Sequence, residues 1–316
     1  MSVAFISNSD CGRHDTGWGA PEHVGRIRGI THALRDDVEL FQVLEHVEGR
    51  HATVDELALA HDPDHIAHLR AVAERGGGRL DADTVMSEGS WLAATAAAGC
   101  VLDGVDRAFA STPQRSFSAV RPPGHHALRD RAMGFCLFGN VAVAAHYARK
   151  KHGAQRVLIV DWDVHHGNGT QALVEADRGI HFVSMHQWPW YPGTGAAEDR
   201  GNDNVWNIPM PPGLPPADYV RARGGRRARD ERIHAGSRAH LRRVRLAARR
   251  SAGRLHVGAT ALARHHAQAR PAERRVVRGP DRQRARRGLC RRARRARRGR
   301  APQRARRDLN PPLSPP

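Results

Sequence analysis

Lysine is nearly absent from this chain: Lys150 and Lys151 are the only two among 51 basic residues. Aromatic residues end at Tyr219, and residues 221–316 hold 32 Arg, no Lys and five acidic residues. A segment without aromatic side chains and about one-third arginine cannot bury a dense hydrophobic core. Residues 1–220 differ, because they carry 19 basic and 27 acidic residues. We therefore divide the chain at residue 220 and expect a single folded domain before it.

Cysteines and long apolar runs are also scarce. The four cysteines show no paired spacing, which argues against a disulfide framework and favours a reducing, cytoplasmic location. No stretch of 18 apolar residues occurs, and no basic region followed by an apolar run opens the chain. We therefore expect neither a signal peptide nor a membrane partner.

Short apolar runs alternate with longer helical patterns in residues 1–220, which is typical of βαβ units. The run 157–160 is apolar on both faces, as expected of a central strand that helices cover on both sides. The sequence thus predicts an α/β fold whose mostly parallel central sheet is flanked by helices. Strands are expected at 3–7, 117–120, 156–161 and 180–185, and helices at 138–151 and at 90–110, the latter capped by Ser90.

Directly after the apolar run come three residues that commonly bind metals. Residues two apart in an extended chain face the same way, so Asp161, Asp163 and His165 should converge at the carboxyl end of the strand. Open α/β sheets bind their ligands at that end. The alternative, in which the aspartates only cap a loop, would bury two carboxylates without a cation, which is costly. Carboxylate and imidazole donors favour a divalent transition metal such as zinc, which typically takes about three protein ligands.

A tandem histidine pair, His125-His126, follows the strand predicted at 117–120. Two prolines and a glycine between Arg121 and His125 make a rigid turn that would present the pair from a defined backbone. Histidine is the side chain best matched to proton transfer near neutral pH. An exposed loop pair is the alternative for these residues taken alone. Together with the acidic segment, they predict a metal-assisted acid/base site.

In order along the chain, these segments resemble the motifs of the histone deacetylase and acetylpolyamine amidohydrolase family. The nearest match is the bacterial class II-like branch, since Asn168 stands where other branches often carry Asp. The resemblance implies an arginase/deacetylase-like fold and a zinc-dependent hydrolase that removes acetyl groups from a protein lysine or a small acetylated amine. The matching stretches are 14–22 (with Ala20 in place of the usual His), 121–126, 134–136 with Asn140, 161–169, and 184–187 through 191–195.

The resemblance also assigns roles to the matched residues. Asp163 and His165 would ligate zinc, and His126 would be the general base. His125 would be the electrostatic partner of His126, with Asp161 orienting His125 and Asn168 orienting His126.

A substrate channel and a second cation are implied in the same way. Gly134, Phe135 and Tyr191 would line the channel, although the two aromatic rings alone are equally consistent with ordinary core residues. A potassium ion would be held by Asp161, Ser184 and backbone carbonyls around Asp163, His165 and Met185.

The resemblance fails in the C-terminal third. The family carries a third zinc ligand, an Asp in a Ser-Ala-Gly-Phe-Asp-Ala-His-like segment, and usually a later Tyr. Here Ser251-Ala252-Gly253 lies where that segment belongs, which places Leu255 at the ligand position, and no Tyr follows Tyr219. We therefore expect the domain to be incomplete at its C-terminus, with weak zinc affinity and little or no deacetylase activity.

Two other interpretations stay open. Residues 221–316 could be a genuine Arg-rich extension that binds nucleic acid, because clustered arginines neutralise phosphates. An arginase-like metallohydrolase is disfavoured by the tandem histidines and the single-metal ligand pattern. The sequence does not determine the oligomeric state.

Our hypothesis for residues 221–316 is an out-of-frame translation, since alternative frames of GC-rich genes are rich in Arg, Ala, Gly and Pro codons. Resequencing the gene should reveal another frame that encodes the missing Phe-Asp-Ala-His and Gly-Gly-Tyr segments. If no frame encodes them, the hypothesis is wrong.

Overall fold

The structure, a computed structural model, describes residues 3–112, 114–215 and 255–259. Two parallel sheets form the framework of this part of the chain. The first sheet has the strand order β2-β1-β5, with β1 at Val3–Ser7, β2 at Leu44–Glu48 and β5 at Arg115–Ser118. The second has the order β8-β7-β6-β9, with β6 at Val157–Asp161, β7 at Ile180–Gln187, β8 at Val205–Met210 and β9 at Leu255–Ala259. Every neighbouring pair in both sheets is parallel, which confirms the predicted α/β class.

Helices connect and cover these strands. A short antiparallel hairpin of β3 (Gly77–Arg79) and β4 (Val85–Ser87) precedes the longest helix. The helices are α1 (Gly25–Asp36), α2 (Val38–Val43), α3 (Val54–Leu57), α4 (Pro63–Glu74), α5 (Ser90–Ala108), α6 (Asn140–His152) and α7 (Asn168–Val174), with a 3₁₀ turn at Ser9–Arg13.

The main hydrophobic core lies where α4, α5 and α6 pack beside β6 and β7. Leu69, Leu102, Val143, Ile159 and Phe182 are almost completely buried in it. Small residues along α5 let this helix bury most of its surface. The core therefore fixes β6, the strand that leads into the candidate site.

The predicted elements are found with shifted ends. The strand expected at 117–120 is β5, two residues earlier, and the helices expected at 90–110 and 138–151 are α5 and α6. Ser90 is not the N-cap of α5, which is Gly89. The Ser90 hydroxyl instead accepts the backbone N–H of Ser87 at 2.7 Å and bonds Nδ1 of His14 at 2.7 Å, so it serves a tertiary contact.

Strand β9 comes from beyond residue 220, the boundary chosen from composition. It pairs with β6 so that Leu255 lies beside Val157 and Ala259 beside Asp161. The expectation that Leu255 occupies a ligand position is therefore wrong, because Leu255 begins its strand at the end away from Asp161. The rest of residues 221–316 lies outside the described residues. The hypotheses of a frameshift and of nucleic-acid binding concern those residues and stay predictions.

Membrane-spanning helices are not found in the part of the chain that the structure describes, since none of its helices is both long and apolar enough.

Buried histidines are a recurring part of this core. The backbone N–H of Gly139 donates to Nε2 of His61 at 2.8 Å, while Nδ1 of His61 donates to the carbonyl of Leu128 at 2.9 Å. A second proton, on Nε2 of His61, would therefore break the hydrogen bond from the Gly139 N–H and place two N–H groups against each other. Burial lowers the pKa of His61 to about 3, and it lowers the pKa values of His14 and His166 to about 4.

Acid should therefore destabilise the fold through His61. Below the unfolded-state pKa of about 6.5, the unfolded chain binds a proton that the native state excludes until about pH 3. This stability is present above about pH 6.5 and is lost as pH falls. From about pH 7 to about pH 5, His61 should cost about 2 kcal/mol of unfolding free energy.

Urea unfolding at several pH values, followed by tryptophan fluorescence, measures this loss. His61→Gln should flatten the pH dependence, whatever its effect on stability at neutral pH. An unchanged slope in His61→Gln would contradict the assignment.

Candidate active site

The carboxyl end of β6 places two buried carboxylates next to each other. Asp161 is the last residue of the strand and is fully buried, and Asp163 is 6% exposed. Oδ1 of Asp161 accepts the backbone N–H of Asp163 at 3.0 Å, which turns the chain sharply after the strand. Both aspartates therefore point into the protein, as the alternation of the sequence predicted.

Asp163 and His165 face each other across a short gap. Nδ1 of His165 lies 3.1 Å from Oδ1 of Asp163, and the backbone N–H of His165 donates to the same oxygen at 2.8 Å. Burial alone would raise the pKa of Asp163, but the His165 N–H bonds and the nearby His125 lower it to about 2. Asp163 is thus an anion at neutral pH.

The tandem histidines lie against this carboxylate pair. Nδ1 of His125 donates to Oδ2 of Asp161 at 2.9 Å, and the rings of His125 and His126 are 3.9 Å apart. Nδ1 of His126 donates to Oδ1 of Asn168 at 2.7 Å. One histidine therefore has a charged partner and the other a neutral one. Because Nδ1 of His126 carries its proton, Nε2 is the nitrogen that can accept another.

These partners shift the pKa values of the two rings in opposite directions. Burial opposes the charged form of His125, but the Asp161 carboxylate outweighs it and raises the pKa of His125. Burial, together with the positive His125, holds the pKa of His126 well below its ordinary value. The two shifts favour a protonated His125 next to a neutral His126.

Close packing between the histidine loop and the start of α7 fixes the positions of His125 and His126. A Cβ on Gly169 would lie 2.3 Å from the carbonyl oxygen of Ala127 and 2.4 Å from the carbonyl carbon of His126. Only glycine allows the first turn of α7 to approach the histidine loop this closely. The backbone N–H of Thr170 also donates to the carbonyl of His125 at 3.0 Å.

Tyr191 and Gly134 border the ring of His126. The Tyr191 ring meets His126 edge-on at 5.0 Å and His165 at 5.8 Å, and Tyr191 is 36% exposed. Gly134 packs onto the His126 ring, with Phe135 next along the chain and partly buried. Of the three residues predicted for the channel, Tyr191 and Gly134 therefore lie beside His126, and Phe135 follows Gly134 in the chain.

Two of the residues expected at a potassium site, Ser184 and Met185, lie on the neighbouring strand β7. Ser184 on β7 pairs in register with Asp161, and both Ser184 and Met185 are almost completely buried. The Ser184 hydroxyl bonds Nδ1 of His186 at 2.9 Å. These positions are adjacent to Asp161, and their role in binding a cation stays a prediction.

A buried ion pair that sequence reasoning missed anchors the histidine loop. The guanidinium of Arg121 donates to both carboxylate oxygens of Glu22, at 2.8 and 2.7 Å, and to the carbonyls of Cys11 and His14. Arg121 and Glu22 are 3% and 1% exposed. The two residues are 99 positions apart, and no local pattern marks them as partners.

The family model of the histone deacetylase domain matches residues 20–225, which contain every residue of this site. The chain belongs to the histone deacetylase family. The resemblance inferred from the motifs is therefore confirmed.

Individual relatives agree with this membership. An uncharacterized protein of Synechocystis sp. is 47% identical over 215 residues, which cover 67% of this chain and 70% of that protein. A histone deacetylase-like amidohydrolase of Pseudomonas aeruginosa is 39% identical over 176 residues, covering 54% and 46%. The crystal structure of the HDA15 HD domain superposes with a TM-score of 0.61 at 34% identity, covering 66% of this chain and 62% of that one. The chain thus spans between 46% and 70% of the length of these relatives.

Removing one partner of the Arg121–Glu22 pair should destabilise the domain strongly, because it leaves a buried charge without compensation. We expect Glu22→Gln to lower the unfolding free energy by about 3 kcal/mol. The matched control is Glu74→Gln, which breaks a surface pair with Arg70 whose side chains are 60% and 63% exposed. That change should cost about 0.5 kcal/mol or less. Equal losses in the two variants, measured by urea unfolding, would show that the buried pair does not anchor the loop.

Proposed function

We propose that this site catalyses zinc-dependent hydrolysis of an acetyl amide, with an acetylated protein lysine or an acetylated small amine as substrate. One observation carries the proposal: a carboxylate and an imidazole converge beside a histidine pair in which one ring bonds a carboxylate and the other an amide oxygen. Family membership supports the deacetylase chemistry. The metal rests on the site's own residues, and the acetylated substrate rests on the family.

The donor atoms present suit two ligands of a zinc ion. Ligands about 2.0 to 2.2 Å from a tetrahedral zinc lie roughly 3.3 Å from each other. Oδ1 of Asp163 and Nδ1 of His165 are 3.1 Å apart, and one is an anion while the other is an imidazole. Asp163 and His165 would therefore hold the metal as a pair.

A third ligand is not found among the described residues, since no three side chains of His, Cys, Asp or Glu there could hold a metal together. A catalytic zinc site generally uses about three protein ligands. We therefore propose that the chain as written binds zinc weakly. A potassium ion near Asp161 and Ser184 belongs to the same proposal.

When bound, zinc would polarise the acyl carbonyl and acidify the attacking water. His126 would take the proton of that water at Nε2, because Nδ1 already donates to Asn168. The same nitrogen would then protonate the leaving amine. His125, paired with Asp161, would stabilise negative charge that develops on the substrate. Phe135 and Tyr191 would exclude water from the stem of the substrate.

Zinc binding and hydrolysis of an acetyl-lysine reporter test the proposal together. The chain as written should lose zinc during gel filtration and show little turnover, and His126→Ala should abolish what remains. His165→Ala should weaken zinc binding measured by calorimetry, whereas His68→Ala, a change at an exposed histidine of α4, should not.

One result would contradict the proposed weak zinc binding, and another would contradict the proposed role of His126. About one equivalent of zinc retained through gel filtration would mean that two ligands are not the limit of this site. Turnover that survives His126→Ala would mean that another group is the base.

A further inference from the structure

The turn at Gly134 and Phe135 has an unusual backbone conformation. Gly134 has φ 57° and Phe135 has φ 68°, and Phe135 is one of two non-glycine residues with positive φ among the described residues. The left-handed conformation is unfavourable for a residue with a side chain. Something in the surrounding structure must therefore hold Phe135 in place.

Gly134 explains why the turn needs this conformation. A Cβ on Gly134 would lie 2.4 Å from Cδ2 of His126, so the backbone itself packs on the histidine ring. A relaxed Phe135 would move Gly134 away from His126. The turn thus sets the position of two features at once, the His126 ring and the Phe135 side chain.

The loop between β3 and β4 supplies the restraint. The hydroxyl oxygen of Thr84 accepts the backbone N–H of Phe135 at 3.0 Å, and Oδ1 of Asp83 accepts the N–H of Gly134 at 3.2 Å. The Thr84 hydroxyl also donates to Oδ1 of Asp83 at 2.9 Å. These bonds reach across 51 residues of sequence.

Thr84 is itself held firmly. It is 1% exposed, and its backbone N–H donates to Oδ1 of Asp81 at 2.7 Å. Because the hydroxyl is buried, water is poorly placed to replace it as the acceptor for Phe135. A hydroxyl is needed here, since it must accept from Phe135 and donate to Asp83 at the same time.

We propose that Thr84 is a positioning residue, which holds the left-handed turn at Gly134 and Phe135 and thereby fixes the Phe135 ring and the surface on which His126 rests. Its importance for hydrolysis rests on the proposed function, in which Phe135 lines the channel and His126 is the base. The restraint itself does not depend on that function.

Hydrogen–deuterium exchange of the full chain tests the restraint directly. In Thr84→Val, amides in peptides covering 131–137 should exchange at least about tenfold faster, because a buried hydrogen bond is lost. Thr84→Ser keeps the hydroxyl and should exchange like the unmodified protein. Thr95→Val, at another buried threonine, should leave these peptides unchanged.

Unchanged exchange at 131–137 in Thr84→Val would overturn the proposal, as would equal acceleration in Thr84→Ser. If Thr84→Val accelerates exchange throughout the domain, the double variant Thr84→Val/Phe135→Gly decides. Glycine adopts the left-handed conformation without strain, so protection elsewhere in the domain should recover. No recovery would count against the proposal.

Turnover separates this proposal from the proposed function. In any preparation with measurable hydrolysis of an acetyl-lysine reporter, Thr84→Val should lower kcat/KM by about tenfold, and Thr84→Ser should restore it. Altered exchange with unaltered kcat/KM would keep the restraint but refute its catalytic importance. Absence of turnover in every variant would affect only the proposed function.

Discussion

The negative charge buried at the carboxyl end of β6 is the constraint on which the rest of the site depends. Asp161 and Asp163 are buried side by side, and within the described residues their ion-pair partners are histidines, not arginine or lysine. The pKa of His125 is therefore raised despite its burial, which favours its positively charged form. A positive charge on His125 in turn lowers the pKa of the adjacent His126, and it cannot by itself balance both carboxylates. A divalent cation would complete the balance.

Three parts of the fold hold these residues in place. The core of α4, α5 and α6 fixes β6, and the buried Arg121–Glu22 pair fixes the start of the loop that carries the histidines. The loop between β3 and β4 fixes the turn that borders His126. Each restraint comes from a different region of the chain, so the histidine pair has little freedom to move relative to Asp161.

Local patterns predicted the central residues but not their supports. Asp161, Asp163 and His165 could be read from alternation after an apolar strand, and His125 and His126 from a rigid proline turn. The Arg121–Glu22 pair and the Thr84–Phe135 bond join residues that are 99 and 51 positions apart, and nothing in their neighbourhoods identifies the partner. The left-handed Phe135 was hidden for a similar reason, since that conformation is usually marked by glycine. Leu255 was misplaced because motif spacing, without strand register, decided its position.

Nitrogen NMR of the imidazole rings at neutral pH measures the central claim most directly. The account predicts that His125 is an imidazolium with protons on both nitrogens. It predicts that His126 is neutral, with its proton on Nδ1 and a free lone pair on Nε2. A neutral His125 next to a charged His126, or a His126 with its proton on Nε2, would contradict the account.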